Sequence, residues 1–241
     1  MSLKGWKFKA AVITGGVVLL TVLFLVSPFF HIDEIIVEGN DRVVTSEILS
    51  RLELGGTTNI LFFDADAAAV RVMGNLHVGD VSFRRSIPGR LYVTVQERRP
   101  SAYVEHGGRL LVLDDTGLVL EIRNQFREAL PLLEGLQFTR VQLGEVLEVT
   151  NETDFITVVL YTQLLTAHDL IHRITHINVA DPQNIRILVD YTEFHVGGTS
   201  DADQKVRTIA AILDIMPDAN IRRGFVSLQT IRPYFFFELL Q

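Results

Sequence analysis

Three histidines at intervals of four residues stand out among the 241 residues of the chain: His168, His172 and His176. On one continuous helix, residues at this spacing share a face, and imidazole side chains on one face can hold a zinc ion. No acidic residue or cysteine accompanies them at ligand spacing, and the sequence from Ile174 onward alternates like a strand. We therefore expect a helix that ends near these histidines, and no metal site.

Two pairs of acidic residues occur where helices are expected to begin, Asp64 with Asp66 and Asp201 with Asp203. Acidic side chains at a helix start accept hydrogen bonds from free N–H groups, so we expect capping rather than general acid–base catalysis. The chain contains no cysteine, no P-loop, and no Gly-x-Ser-x-Gly, His-Glu-x-x-His or Gly-x-Gly-x-x-Gly motif. The sequence thus predicts a protein that is not an enzyme and binds no cofactor.

Basic residues are concentrated around two adjacent predicted strands. They are Arg84, Arg85, Arg90, Arg98 and Arg99. One interpretation is ordinary solvated strand ends. The other is a basic patch that binds an acidic segment of a partner or lipid headgroups, with Arg84, Arg85, Arg90 and Arg98 as its candidate residues.

The last predicted strand is the strongest candidate for partner binding. Its candidate residues are Tyr234, Phe235, Phe236, Phe237 and Leu239. A terminal strand tends to lie at a sheet edge, where free N–H and C=O groups can pair with an added strand. Alternation places Phe236 on the opposite side from Phe235 and Phe237, so at least one face needs a cover. Two interpretations stay open: a binding edge, or phenylalanines that close the core of their own domain.

The net charge of −7 is divided unevenly along the chain. Residues 1–30 contain three lysines and no acidic residue. Residues 31–241 hold all 29 acidic residues against 19 basic ones, the 22 of the chain less those three lysines. Nucleic-acid binders need a basic surface, so the acidic bulk of the chain argues against that class.

Residues 10–30 form an uncharged run of 21 residues. As a helix this run would measure about 31 Å, close to the roughly 30 Å of a bilayer core. A cleaved signal peptide would be shorter and end in small residues, whereas this run ends in Ser27-Pro28-Phe29-Phe30. We predict a single transmembrane helix over 10–30, with residues 1–9 in the cytoplasm because the three lysines favour that side.

The rest of the chain predicts two domains of an α+β protein. Residues 31–99 show the order β-α-α-β-β, with a clean alternation of Leu91, Val93 and Val95 in the last strand. Residues 100–241 show short strands separated by turn signals, and two helices over 154–167 and 201–216. We expect a larger, mostly antiparallel β domain there.

With these features the chain resembles a known family, the bacterial cell-division proteins FtsQ and DivIB. Residues 35–40 (IIVEGN) resemble the first strand and turn of that family's POTRA domain, and residues 84–100 resemble its pattern Pro-x-x-Leu-x-Ile-x-Val-x-Glu-Arg-x-Pro. Residues 113–117 (LDDTG) and 130–135 (LPLLEG) resemble two further family segments. The matching positions in the POTRA part include Gly39, Pro88, Leu91, Glu97, Arg98 and Pro100.

The resemblance implies a single-pass (type II) protein of the bacterial inner membrane, with a POTRA domain over 31–99 and a β domain over 100–241 outside the cytoplasm. It implies an essential-type, non-catalytic scaffold of the divisome at the division septum, where it helps control septal peptidoglycan synthesis. FtsB/FtsL-type partners would bind the β domain by strand addition, and other division membrane proteins would bind the POTRA domain and the membrane helix. No nucleic acid or small-molecule substrate is expected. The alternative is a POTRA-bearing envelope protein that assists protein export or assembly, although such proteins commonly carry several POTRA copies.

Overall fold

A computed structural model describes the backbone of residues 3–215, 221–229 and 234–239, and the side chains of Trp6 and of residues 12–215 and 224–229. The predicted helix end at Met216 and the side chains of the C-terminal phenylalanines lie outside this set. The chain divides into two compact units, Met1–Arg98 and Arg99–Gln241.

Unit 1 begins with helix α1 (Leu3–Leu25), which is followed by a short 3-10 helix over Pro28–Phe30. Among the residues that the structure describes, no helix combines the length and the apolar character needed to cross a membrane. The transmembrane helix over 10–30 therefore stays a prediction of the sequence.

The remainder of unit 1 has the order β-α-α-β-β, as predicted. Its elements are β1 (Glu34–Glu38), α2 (Thr45–Leu52), α3 (Ala65–Met73), β2 (Val78–Ser86) and β3 (Arg90–Glu97). The three strands form one sheet in the order β1-β3-β2, with β1 parallel and β2 antiparallel to the central β3.

The core of unit 1 lies between one face of this sheet and the two helices. Leu91, Val93 and Val95 of β3 are buried, whereas the alternate residues of the strand face outward, because successive strand residues point to opposite faces. Ile48 and Leu52 of α2 are buried against the same core. The Asp64 side chain accepts a hydrogen bond from the Ala67 N–H at 3.0 Å, so the predicted cap of α3 is confirmed.

Unit 2 is built on a nine-stranded sheet in the order β14-β13-β12-β11-β10-β7-β4-β5-β6. Its strands are β4 (Pro100–His106), β5 (Arg109–Asp114), β6 (Val119–Arg123), β7 (Leu132–Glu134), β10 (Ile174–Asn178), β11 (Ile185–Val189), β12 (Thr192–Gly197), β13 (Ile221–Ser227) and β14 (Tyr234–Leu239). A separate two-stranded hairpin joins β8 (Phe138–Arg140) to β9 (Glu148–Val149). Within the described residues, the pairings β12–β13, β10–β7 and β4–β7 are parallel and the other five of the large sheet are antiparallel. In this part of the chain the sheet is therefore mostly antiparallel, as predicted, with three parallel pairings.

Two helices of unit 2, α4 (Glu152–Ala167) and α5 (Ala202–Ile215), contribute buried side chains to the same core as the sheet. Tyr161 of α4 is buried, its hydroxyl donates to the Gly198 carbonyl oxygen at 2.9 Å, and burial raises the pKa of the phenol to about 12. Val206 and Ile209 of α5 are also fully buried. With the β-α-α-β-β topology of unit 1 and a mixed sheet with two helices in unit 2, the protein is of the α+β class.

Candidate partner-binding surfaces

Strand β14 is an edge strand of the nine-stranded sheet. It pairs antiparallel with β13, in a register that sets Phe235 opposite Val226, Phe236 opposite Phe225 and Phe237 opposite Gly224. No strand pairs with its outer side among the residues that the structure describes. We call this backbone the open edge (residues 234–239), and its unpaired peptide groups are the chemistry that strand addition uses.

Residues of the neighbouring strand β13 connect this end of the sheet to the core of unit 2. Val226 is fully buried in the core of unit 2, whereas Phe225 contacts the ring of His195 with 4.3 Å between ring centroids. Strand β12 pairs parallel with β13 and continues the sheet toward its centre. The open edge is therefore continuous with the main core of the unit.

Strand β6 forms the opposite edge of the sheet, and the loop that contains residues 144–146 runs beside its start. The Val119 N–H donates to the Glu145 carbonyl at 2.9 Å, and the Gly144 N–H donates to the Val119 carbonyl at 2.9 Å. Leu118 and Val146 form an isolated bridge next to these bonds. We call this side of the sheet the covered edge (residues 118–123).

A largely buried guanidinium lies at the far end of the covered edge. Arg123, with 10% of its side chain exposed, binds Glu121 through Nη2 at 2.7 Å and Glu128 through Nη1 at 2.6 Å. The Tyr103 hydroxyl donates to the Glu128 carboxylate at 2.8 Å and ties the group to β4. Hydrogen bonds to Glu121, together with Glu128, raise the pKa of Arg123 well above its ordinary value although burial opposes the shift. The sequence-based search missed this network, for which the only local signal is the opposite charges of Glu121 and Arg123 two residues apart on one strand face.

In unit 1, the carboxylate of Glu97 is bound by a run of backbone N–H groups. Its oxygens accept hydrogen bonds from the N–H groups of Asp41, Arg42 and Val43, each with a shortest distance of 2.8 Å. Burial alone would raise the pKa of Glu97, but these three bonds and the positive charge of Arg42 outweigh it and lower that pKa. The motif glutamate therefore fixes the β1–α2 connection to the end of β3.

Gly39, another motif residue, is required by the same connection. Its φ is +84°, and a Cβ at this position would stand 2.3 Å from the Val95 carbonyl oxygen. Any other residue would both strain the backbone and push the connection away from β3. The remaining motif positions are distributed along the adjoining strands: Pro88 in the β2–β3 turn, Leu91 in the core, Arg98 after β3 and Pro100 at the start of β4.

The four arginines of the predicted basic patch do not share one location. Arg84 stacks on Tyr92 with its guanidinium carbon 3.9 Å from the ring centroid, and Arg90 pairs with Glu34 at 2.6 Å on the same outer face of the sheet. Arg85 points to the opposite face, where it donates to the Phe63 carbonyl at 2.8 Å. The Arg98 N–H donates to the His77 carbonyl at the other end of β3. The structure thus brings Arg84 and Arg90 together and places Arg85 and Arg98 elsewhere.

The three spaced histidines lie on different elements, because α4 ends at Ala167. His168 Nε2 is 2.9 Å from Asp203, His172 Nδ1 is 3.1 Å from the Ala129 carbonyl, and His176 lies on β10. Across the described ranges, no group of three or more potential ligands could hold a metal ion.

Asp203 lies in the first turn of α5, as predicted, where its charge favours the helix dipole, and its carboxylate has two further partners. The carboxylate binds His168 and, at 2.7 Å, Arg207. The hydrogen bond from His168 and the charge of Arg207 lower the pKa of Asp203 although partial desolvation opposes the shift. The residue thus connects the end of α4 to the first turns of α5.

Comparison with known proteins agrees with the element order of unit 1. The family model for the POTRA domain, FtsQ-type, matches residues 30–98. Cell division protein DivIB of Clostridium tetani is 20% identical over 196 residues, which cover 81% of this chain and 74% of that protein. Cell division protein DivIB of Clostridium botulinum strain Hall is 21% identical over 211 residues, covering 87% of this chain and 82% of that protein.

Relatives of higher identity match over a shorter stretch. Cell division protein FtsQ of Bradyrhizobium diazoefficiens is 32% identical over 108 residues, which cover 44% of this chain and 31% of that protein. Residues 30–98 are therefore similar to a POTRA domain of the FtsQ type. The relatives reported above are all named as cell division proteins, DivIB or FtsQ.

Proposed function

We propose that this protein is a non-enzymatic scaffold of the divisome, which links membrane and extracytoplasmic division proteins at the septum and helps control septal peptidoglycan synthesis. The single observation that carries the proposal is the open edge of the nine-stranded sheet, on a chain that is similar to cell division proteins. A scaffold needs a surface that binds other chains, and an unpaired edge continuous with a large core provides one.

Helix α1 is the proposed anchor in the cytoplasmic membrane. It contains most of the uncharged run over residues 10–30, and large apolar side chains such as Ile13, Leu20 and Leu23 are exposed along it. Contiguous apolar surface of this kind is unfavourable in water and favourable in a bilayer. The three lysines before the run support an N-terminus in the cytoplasm, with residues 31–98 of unit 1 and all of unit 2 on the other side of the membrane.

The open edge is the proposed binding site for the extracytoplasmic segments of FtsB/FtsL-type partners, which would add a strand beside β14. Main-chain hydrogen bonds would supply much of the affinity, and side chains of the open edge would select the partner. Its proposed contact residues are Tyr234, Phe235, Phe236, Phe237 and Leu239. The outer face of the unit 1 sheet, with Arg84 and Arg90, is proposed to bind another division protein.

Photo-crosslinking in dividing cells tests the proposal. A photoreactive amino acid is placed at position 235 or 236 of the full chain, and in a control at Ile122 of β6, which is 42% exposed. We expect covalent adducts to small division membrane proteins from the open edge and none of these adducts from the covered edge. Equal adducts from both edges would contradict a binding site at β14.

Depletion of the protein in its host tests the role itself. Cells that lose the chain should form filaments, because septal wall synthesis would not begin. Normal septation after depletion would overturn the proposal.

A further inference from the structure

Three segments of unit 1 meet where α1 ends: the α1–β1 connection over 26–33, the α2–α3 loop over 58–63, and the β2–β3 turn over 87–89. The first two run side by side, since the Ile60 N–H donates to the Phe30 carbonyl at 2.8 Å and the Ile32 N–H donates to the Thr58 carbonyl at 2.9 Å. His31 and Asn59 form an antiparallel bridge between these bonds. The α2–α3 loop is therefore held against the first residues after α1.

A side-chain bond attaches the same loop to the helix itself. The Asn59 Nδ2 donates to the carbonyl of Leu25, the last residue of α1, at 2.8 Å. The last carbonyls of a helix lack partners within the helix, so this bond satisfies a group that would otherwise need water. The rings of Phe24, Phe29 and Phe30 pack on one another beside it, with centroids 5.1 to 5.9 Å apart.

The β2–β3 turn is bound to the same end of the unit. The Asp33 N–H donates to the Gly89 carbonyl at 2.9 Å, and a Cβ on Gly89 would stand 2.5 Å from the His31 carbonyl oxygen. Arg85, just before the turn, donates to the carbonyls of Leu61 and Phe63. Backbone and side-chain bonds thus hold the turn and the loop together next to the end of α1.

Each of these segments exposes a large apolar side chain. Phe29 is 59% exposed, Phe62 is 67% exposed and Ile87 is 62% exposed, whereas the neighbouring Phe30 and Phe63 are buried. We call these three residues the rim. Exposed aromatic and branched side chains on adjoining loops are typical of surfaces that meet a membrane or a partner.

We propose that the rim inserts into the interfacial region of the bilayer that holds α1, so that the POTRA domain rests on the membrane in a fixed orientation. The inference rests on the proposed anchor, because the segments that present the rim are bonded to the last residues of α1 and to Phe30. When α1 spans the bilayer, its last residue, Leu25, and the connection to Phe30 lie near the bilayer surface. Phe62 follows Ile60 by two residues, so its Cα lies no more than about 7 Å from the Cα of Ile60. The Ile60 N–H is itself bonded to the Phe30 carbonyl.

The charges near the rim favour apolar insertion over electrostatic binding. Arg85 and Arg90 are present at this end, but so are Asp33 and Glu34, and Glu34 pairs with Arg90 at 2.6 Å. Among these four residues the net charge is zero. We therefore expect contact with the bilayer to depend little on salt, which screens exposed charges but leaves apolar burial in place.

A matched control exists on the far side of the same domain. Val44 is 62% exposed, as is Ile87, and it follows the segment that Glu97 binds at the C-terminal end of β3. Ile87 precedes the start of β3, so the length of an eight-residue strand, about 26 Å, separates the two positions. A tryptophan at position 44 reports a similarly exposed site that the bilayer should not reach.

The experiment uses the full chain with Trp6→Phe, which removes its single tryptophan. Phe62→Trp, Ile87→Trp and Val44→Trp are then made separately and reconstituted into phosphatidylethanolamine–phosphatidylglycerol vesicles, with or without bromine on the upper acyl chain. We expect bromine to quench the tryptophans at positions 62 and 87 at least about twofold and to leave the one at position 44 unchanged, at low and at high salt. The far-UV spectrum and the thermal melt of each variant must match those of the Trp6→Phe parent.

Failure of this inference can be told apart from failure of the anchor. Release of the chain from vesicles by alkaline carbonate would overturn the anchor and the rim together. Retention of the chain with positions 62 and 87 as unquenched as position 44 would overturn the rim alone and leave that surface for a protein partner. Quenching that disappears at high salt would overturn apolar insertion. Because the chain has no cysteine, Phe62→Cys with an environment-sensitive dye provides a second readout if a tryptophan variant does not fold.

Discussion

The two edge strands of the nine-stranded sheet, β6 and β14, differ in what lies beside them and in composition. Beside β6, the segment over residues 144–147 makes backbone hydrogen bonds with its first residues, and Arg123 holds two carboxylates at its end. Beside β14, no strand is paired among the described residues. Of their charged residues, β6 contains Glu121 and Arg123, whereas β14 contains Glu238 alone.

The difference shows how one sheet can keep one edge closed and leave the other available. Charges, short strands and covering loops prevent an edge from pairing with another chain, whereas a long apolar edge promotes such pairing. Retaining an apolar edge involves a risk of aggregation, so its presence favours a binding role. Four variants test this contrast, and the expected effects decrease in the order given.

Phe236→Lys should abolish partner binding at the open edge. A lysine in the middle of β14 introduces a charge that an added strand would have to desolvate, and we expect affinity for the FtsB/FtsL-type extracytoplasmic segments to fall about 10³-fold. Titration of those segments against the full chain in detergent measures the loss. Ile122→Lys on β6 is the control and should bind as the parent does. Binding unchanged by Phe236→Lys would refute the contrast.

Arg123→Met should destabilise the protein at the covered edge without affecting partner binding. It leaves the partly buried carboxylates of Glu121 and Glu128 without their guanidinium, so we expect the free energy of unfolding to fall by about 3 kcal/mol. Denaturant unfolding of the full chain measures the change. A loss of partner binding at unchanged stability would instead assign a recognition role to this edge.

Glu97→Gln changes a residue of unit 1, outside the large sheet. It tests whether the stability of that site can change while partner binding at the sheet edges does not. The variant loses the charge that three backbone N–H groups bind, and we expect a loss of about 1.5 kcal/mol in unfolding free energy at neutral pH. Because folding lowers the pKa of Glu97 from its ordinary value of 4.5, the contribution of the carboxylate is complete above that value. It is lost as the pH falls through the lowered pKa of the folded state.

A pH series of unfolding measurements on both proteins therefore should show a difference at pH 7 that disappears in acid. A difference that is independent of pH would mean that the charge of Glu97 is not the stabilising feature. Affinity for the division partners should be unchanged.

Asp203→Asn should have the smallest effect. Its carboxylate pairs with His168 and Arg207, but about half of its side chain is exposed, and exposed ion pairs contribute little to stability. We expect no measurable change in the melting temperature or in partner binding. A marked drop in melting temperature would show that the α4–α5 contact is more important than its exposure indicates.

Local features of the fold could be predicted well from the sequence. Alternation of Leu91, Val93 and Val95 predicts the inner face of β3, and Asp64 predicts the start of α3, because both signals depend on a few neighbouring residues. Strand β1 begins at Glu34, one residue before the segment over 35–40 that resembles the family's first strand and turn.

The candidate sites were predicted only in part. Five apolar residues near the end of the chain indicated the last strand, and the structure places that strand at a sheet edge. The basic patch was inferred from the proximity of its arginines in sequence. Register then separates Arg84 from Arg85, because adjacent strand residues point to opposite faces. The sequence predicts the place of Asp203 at the start of α5 but not its contact with His168, which is 35 residues away in the chain.

The sequence by itself determined the uncharged run, the order of elements in unit 1, the α+β class and the resemblance to the FtsQ/DivIB family. Each of these depends on periodicity, composition or motifs within one stretch of chain. Only the tertiary structure decided that β7 lies between β4 and β10, that one edge is covered and the other open, and that three apolar residues gather at the end of α1. Those features depend on pairings between distant segments, which are selected by the packing of the whole unit and leave no periodic signal in the chain.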